Sequence, residues 1–194
     1  MLLICGTMLT LFSSCRKCNG NSPVFTEEEK AWMTTTGEEG DSILFRSNKG
    51  KERWFSIEQK WIEKRVPHNG KSLEKDCPED ETWHGTYKLQ AIMSSQYHYA
   101  PTLEINMTKT SWPHYSKVFY WSEFTSQMSF GEFDESLDSM RIAGKMYYQV
   151  QVVTRDTTIQ YAPDRYPTHK LYYNTTYGLL RYDNAKQEVW ERVR

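Results

Sequence analysis

From Asp41 to the C-terminus, apolar and polar residues alternate with a period of two, which is the pattern of β-strands with one buried face. The alternation is clearest at 103–108 and 188–193. The segment 183–186, just before the last of these runs, contains turn-forming residues, so the chain is predicted to end in a β-hairpin. The C-terminus is therefore expected to be part of the fold and not a tail.

The same pattern predicts roughly eight to ten strands, joined mostly by hairpins. The composition agrees, since Thr occurs 18 times and Ala only 6 times, which favours strands over helices. We therefore predict a mainly β fold, a single antiparallel meander forming a curved sheet, half-barrel or barrel that is lipocalin-like or similar. The predicted strands are 43–46, 53–57, 86–92, 103–108, 117–124, 140–142, 146–154, 170–173, 177–182 and 188–193.

One short helix is predicted before the first strand. Thr26 and Glu29, three residues apart, form a capping box, and three acidic residues in the first turn suit the helix dipole. The β-branched run 34–36 and the glycine after it are expected to end the helix after about two to three turns. This helix would pack Trp32 and Met33 against the sheet.

The N-terminus has the features of an export signal. Residues 1–12 are uncharged and mostly apolar, but as a helix they would reach only about 18 Å, too short for a membrane span of about 30 Å. The segment 13–15, Ser-Ser-Cys, resembles the lipobox of bacterial lipoproteins, with a phenylalanine where the family usually has leucine. The resemblance implies that 1–14 is a signal peptide and that Cys15 carries a lipid anchor.

The remainder of the chain divides into a tether and one domain. Residues 15–24 are rich in Asn, Gly, Ser and Pro and are predicted to form the tether, while 25–194 form a single β-rich domain. The lipobox, the acidic helix and the aromatic hairpin at 177–191 together resemble the small uncharacterised lipoproteins of the Bacteroidetes. That resemblance implies a cell-envelope location and no particular activity. An acidic residue does not follow Cys15 directly, which favours the outer membrane.

The cysteines leave two alternatives open. Cys15 and Cys18 spell a C-x-x-C motif, but the chain has no second such motif to complete a metal site. With Cys5 removed and Cys15 lipidated, Cys18 and Cys77 remain in an oxidising compartment. They either form a disulfide or stay as two unpaired thiols.

Charge and motifs exclude several functions. The net charge of −1 offers no basic excess for nucleic acid, so no nucleic-acid partner is expected. The five histidines have no metal-ligand spacing, and no nucleophile elbow or phosphate-binding loop is present. The acidic loops 74–81 and 132–138 lack the spacing of a calcium-binding EF-hand. Neighbouring acids disfavour Cys77 as a nucleophile, and we predict a protein without enzymatic activity, cofactor or metal.

Aromatic residues, 14% of the chain, are its one compositional excess. Rings near predicted strand ends either pack in the core or face a ligand at the mouth of the sheet. The candidates for ligand contact are Trp83, Tyr87, Tyr97, Tyr99 and Trp112.

The expected function is a non-catalytic binding module, lipid-anchored in the envelope, for a small apolar ligand, a glycan or an envelope partner. The alternatives are a structural or assembly lipoprotein that contacts another envelope protein, and an envelope hydrolase without a recognisable motif. A ring-lined pocket would favour a small ligand. A filled interior with an exposed apolar patch would favour a protein contact.

Overall fold

The fold is seen in a computed structural model that describes residues 23–33, 35–65, 82–92, 100–110, 115–123, 126–130, 135–154, 168–184 and 186–193. Within these ranges the chain forms one short helix and eleven strands. The elements are α1 (Glu27–Lys30), β1 (Ser42–Ser47), β2 (Glu52–Arg65), β3 (Thr82–Ala91), β4 (Thr102–Thr110), β5 (Tyr115–Glu123), β6 (Ser126–Phe130), β7 (Glu135–Ile142), β8 (Lys145–Thr154), β9 (Thr168–Asn174), β10 (Gly178–Asn184) and β11 (Val189–Arg192).

All eleven strands belong to one antiparallel sheet with the order β6-β5-β4-β3-β2-β1-β11-β10-β9-β8-β7. Two meanders make up this order: β1 to β6 extend one way from the centre, and β7 to β11 return from the opposite edge. The first and last strands join the meanders, with Phe45 opposite Arg192 and Ser47 opposite Trp190. The predicted meander is therefore confirmed, and the C-terminal strand lies in the middle of the sheet.

The sheet curls into a half-barrel. The edge strands β6 and β7 are joined by only four residues, 131–134, so the chain can separate these edges by no more than about 18 Å there. Aromatic rings from strands six places apart in this order also meet, since the ring centroids of Trp121 on β5 and Tyr182 on β10 are 5.0 Å apart. Of the shapes predicted for the meander, the half-barrel is the one observed.

The interior is an aromatic core centred on Tyr182. Its ring stacks on Trp190 at 5.8 Å and also contacts Phe45, Phe55 and Trp121. The hydroxyl of Tyr182 accepts a hydrogen bond from Arg53, so its polar end is satisfied. Aliphatic residues are few in this chain, and large aromatic rings supply much of the buried apolar surface in their place.

A second, smaller cluster lies on β7 to β10. Adjacent residues separate the two clusters, as the pleat of a strand requires: Val153 belongs to the main core and Val152 to the second cluster. The other buried members of the second cluster are Ile142, Tyr147, Val150, Tyr172 and Leu180. The strands β8, β9 and β10 therefore carry buried apolar residues on both faces.

The helix is shorter than predicted, with a single turn at Glu27–Lys30. The capping box of Thr26 and Glu29 is present, as expected. Beyond the turn the chain enters the interior, because Met33 is buried there and Trp32 stacks on Tyr173 at 5.7 Å. The packing of Trp32 and Met33 in the interior therefore ends the helix one to two turns before the predicted end.

An ion pair fastens this N-terminal segment to the sheet. The Glu29 carboxylate accepts hydrogen bonds from Lys109 Nζ at 2.7 and 3.0 Å, and both side chains are largely buried. Burial alone would raise the pKa of Glu29, but the bonds from Lys109 and Thr26 outweigh it and hold the pKa below its ordinary value of 4.5. The charged carboxylate therefore stabilises the fold above that pH, and the contribution is lost as the pH falls through the lowered pKa.

We predict that Glu29→Gln lowers the free energy of unfolding by about 1 kcal/mol at pH 7, because glutamine keeps the capping bond and loses the charge. The difference from wild type should shrink as the pH falls below 4.5. Chemical denaturation across pH 3 to 7 measures both effects. Glu27→Gln is the control, because the Glu27 side chain is 90% exposed and its pair with Lys30 should contribute little. A difference that does not change with pH would contradict the role of the ion pair.

Candidate functional site

The described part of the interior is filled by side chains. Its largest members have less than 2% of their surface exposed: Trp121, Tyr87, Tyr173, Tyr182, Phe45, Phe55 and Phe119. Such packing places rings where a small-ligand carrier of similar shape would need open volume. A ligand site is therefore better sought at the ends or on the outer face of the half-barrel.

Two of the five predicted ligand-facing rings lie within the described residues. Tyr87 is completely buried in the main core, and Trp83 is half-buried at its margin. Tyr97, Tyr99 and Trp112 lie outside the described residues, so their ligand-facing role stays a prediction. The structure does not bring Trp83 and Tyr87 into one open pocket.

The other predicted sites also fall outside the described residues. The anchor Cys15 and the cysteines Cys18 and Cys77 are among them, as is the acidic loop 74–81. Among the residues that the structure does describe, no group of three acidic, His or Cys side chains is placed to hold a metal ion. In the same part of the chain, no helix is long and apolar enough to cross a membrane.

Polar side chains converge at one end of the interior, around Gly178. The hydroxyl of Tyr87 and the side chain of Thr35 both come within 3.4 Å of the position that a Cβ on this glycine would occupy. Both hydroxyls are buried and neither bonds a group outside this pair in the described structure, while Thr35 lies within hydrogen-bonding reach of Tyr87 and offsets part of the rise that burial causes in the pKa of Tyr87. Gly178 adopts a left-handed φ of +78°, which a residue with a side chain would adopt at a cost.

A guanidinium and an ammonium group complete this inner polar cluster, which we define as Thr35, Lys60, Tyr87, Tyr173 and Arg192. Arg192 donates through Nη1 to the carbonyl of the residue before Gly178. Lys60 donates through Nζ to the carbonyls of Thr35, at 3.1 Å, and of Gly37, at 2.6 Å. The Tyr173 hydroxyl donates to the carbonyl of Trp32 at 2.9 Å.

Burial shifts the ionisation of this cluster. It raises the pKa of Tyr87 and raises that of Tyr173 well above the ordinary value, so both phenols stay neutral. It lowers the pKa of Arg192, whose guanidinium remains charged at neutral pH. The cluster therefore combines two cations with neutral hydroxyl groups.

The outer face of the sheet carries an exposed apolar row, the outer strip, formed by Ile92, Trp54, Leu44 and Val193. Main-chain pairing sets these residues side by side. Trp54 lies opposite Leu44 on the neighbouring strand. The Ile92 N–H donates to the carbonyl oxygen of Trp54, and the Val193 N–H donates to the carbonyl oxygen of Leu44. Ile92 is 53% exposed, Val193 42% and Trp54 39%, while Leu44 is buried between its neighbours. Apolar side chains thus form a row that crosses β1 and β2 and includes the residues directly after β3 and β11.

The outer strip leads into a cleft of about 450 Å³, the outer cleft. Val193 belongs to both, and the other lining residues include Arg46, Asn48, Ala143, Val189 and Glu191. Glu191 accepts a hydrogen bond from the Ala143 N–H, which ties the β7–β8 turn to the cleft. The lining therefore combines apolar groups with both signs of charge.

Catalytic geometry is weak among the described residues. The closest arrangement to a nucleophile and base is on the outer face, where His84 Nδ1 lies 3.4 Å from the Thr108 hydroxyl. Burial lowers the pKa of His84, and no carboxylate orients its ring in the part of the chain that is described. A triad needs such an orienting group, so this pair does not define a catalytic site.

Comparisons with protein families, with curated proteins and with solved structures found no match to this chain.

The inner polar cluster was not predicted from the sequence, because its members come from separate strands and the N-terminal segment. The outer strip does leave a signal. Leu44 and Trp54 are apolar residues at positions where the alternation of the core-facing residues 43, 45 and 55 requires a polar one. Out-of-phase apolar residues on neighbouring strands indicate a surface that contacts something other than the core.

Proposed function

We propose that this protein is a lipid-anchored cell-envelope protein whose β-domain is a non-catalytic binding module for another envelope protein. In this proposal the outer strip and outer cleft form the contact surface. The observation that carries it is the exposed row of Ile92, Trp54 and Val193 beside the cleft, on a domain whose described interior is filled. Contiguous exposed apolar groups with a polar rim are typical of protein contacts.

The packing of the interior argues against a small apolar ligand as the main cargo. Rings from opposite sides of the half-barrel touch, with Trp121 and Tyr182 5.0 Å apart and Phe119 and Tyr173 5.9 Å apart. A ligand between them would have to separate these rings and lose their dispersion energy. The small-ligand alternative therefore has less support than a surface contact.

The chemistry of the outer strip also favours a protein over a glycan. Sugars are usually held by stacking on rings with polar groups around them, and the strip has a single ring, Trp54, between aliphatic neighbours. Ile92 and Val193 suit apolar side chains of a protein surface. Trp is also the residue type most enriched among the side chains that dominate binding energy at such interfaces.

A lipid anchor would make a small contact surface sufficient. Two proteins held in one membrane meet at a high effective concentration, so that modest apolar burial gives substantial occupancy. The lipobox-like segment ending at Cys15 is the basis for the anchor. The absence of an acidic residue directly after Cys15 favours the outer membrane.

We predict that the Cys15→Ala substitution releases the protein from the membrane. Intact-mass measurement of the wild-type chain should give a mature form beginning at Cys15 with added acyl mass. The Cys15→Ala variant should carry no acyl mass and should lose its membrane association on fractionation. Cys18→Ala is the matched control and should remain acylated in the membrane pellet. A soluble, unacylated wild-type chain that keeps Met1 would disprove the anchor.

The contact surface is tested by photo-crosslinking in native membranes. Benzoylphenylalanine at position 92 should give one discrete adduct with an identified envelope protein, and the same group at the exposed position Tyr148 should not. The purified partner should then bind Trp54→Lys at least about tenfold more weakly than wild type, with Tyr148→Lys unchanged.

Three outcomes would contradict this surface. One is no adduct from position 92. The second is an adduct of twice the chain mass, which would assign the strip to a second copy. The third is equal binding of the partner to wild type and Trp54→Lys.

A further inference from the structure

Charged side chains form a row across the outer face of the sheet, beside the outer cleft. Arg46 on β1 lies opposite Glu52 on one side and opposite Glu191 on the other. Glu191 in turn lies opposite Arg181, which is paired with Asp183. We call these five residues the charge row. Three carboxylates and two guanidiniums leave it with one negative charge in excess.

Both guanidiniums of the charge row are bonded to carboxylates other than Glu191. Arg46 donates through Nη2 to Glu52 at 2.7 Å. Arg181 donates through Nε and Nη2 to Asp183 at 2.7 and 2.8 Å. Its Nη1 is 3.8 Å from Oε1 of Glu191, which is beyond hydrogen-bond distance. Among the described residues, no cation therefore donates a hydrogen bond to Glu191.

Glu191 lines the outer cleft between apolar side chains. Val189 and Val193, two residues before and two residues after it, line the same cleft of about 450 Å³, as does Ala143. The Glu191 side chain is 30% exposed, and its Oε2 accepts the Ala143 N–H at 2.9 Å. Its Oε1 accepts no hydrogen bond within the part of the chain that is described. A carboxylate flanked by apolar groups is complementary to a side chain with an aliphatic stem and a cationic end.

We propose that the outer cleft binds one lysine side chain of the envelope partner, with its ammonium group on Glu191. This inference rests on the proposed function, because it names the chemistry of the partner at the same contact surface. The ammonium group offsets the excess negative charge of the charge row. The aliphatic stem of the lysine covers Val189 and Val193.

The geometry of Glu191 favours lysine over arginine. A guanidinium binds a carboxylate best by donating to both oxygens side by side, and Oε2 of Glu191 already accepts the Ala143 N–H. An ammonium group is a compact charge that can bond Oε1 alone. A partner carboxylate at this position would be repelled, so the cleft selects among partners by charge.

The test titrates the full-length chain with small probes and does not require the partner. The probe n-butylammonium has the stem and charge of a lysine side chain, n-propylguanidinium has those of arginine, and butyrate carries the opposite charge. NMR follows the amides of Ala143, Val189, Glu191 and Val193 at probe concentrations up to about 50 mM. These four amides should shift together and saturably with n-butylammonium, and should not shift with butyrate at equal ionic strength.

Two variants locate the response. Glu191→Gln should abolish the shifts with n-butylammonium, because glutamine keeps an acceptor for the Ala143 N–H and removes the charge. Glu63→Gln is the matched control. Glu63 is an exposed carboxylate on β2 that is paired with Arg65 and does not line the cleft, so this variant should respond as wild type does.

The proposal is overturned if n-butylammonium and butyrate act alike, or if Glu191→Gln responds as wild type does. Binding of n-propylguanidinium as tight as that of n-butylammonium would overturn the assignment to lysine. Once crosslinking from position 92 has identified the partner, Glu191→Gln should weaken its binding about threefold, and unchanged binding would also overturn the proposal.

Failure of this subsite and failure of the proposed function are distinguishable. The absence of an adduct from position 92 contradicts the contact surface, whatever the probes do. A response that does not depend on the charge of the probe contradicts the lysine subsite and leaves the contact surface standing.

Discussion

The pairing of the first strand with the last holds this fold together. Without the contact between β1 and β11, the sheet would be two separate meanders of six and five strands. That contact has the largest sequence separation in the sheet, with Phe45 opposite Arg192. It also brings Phe45 on β1 and Phe55 on β2 against Tyr182 on β10, and therefore the aromatic core depends on it. Because distant segments must meet, we expect the interior to form late in folding.

This arrangement separates two kinds of surface. Closing the half-barrel packs rings such as Trp121 and Tyr182 against each other and leaves apolar side chains of β1, β2 and β11 on the outside. Arg192, the last residue of β11, belongs to the inner polar cluster, and Val193, the residue after it, belongs to the outer strip. Two adjacent residues at the end of this strand thus lie on opposite faces of the sheet.

Local features of the fold could be predicted from the sequence, and long-range ones could not. The capping box of Thr26 and Glu29 and the hairpin that ends the chain follow from neighbouring residues, and both are present. The stacking of Trp32 on Tyr173 joins segments 141 residues apart, and no local pattern indicates it. For the same reason, no local sequence pattern indicates that Thr35 lies near Arg192. The sequence predicts a role for Tyr87 of this cluster, but only as one of five candidate ligand-facing rings.

Native-state hydrogen exchange of the β1–β11 ladder tests the central claim most directly. The amides of residues 45–47 and 190–192 that bond across this pair should exchange only through global unfolding, with the same opening free energy as the amides around Tyr182. Faster exchange at β11, with the core of β2 to β4 still protected, would mean that the last strand opens alone. The closure would then not be the contact that holds the half-barrel together.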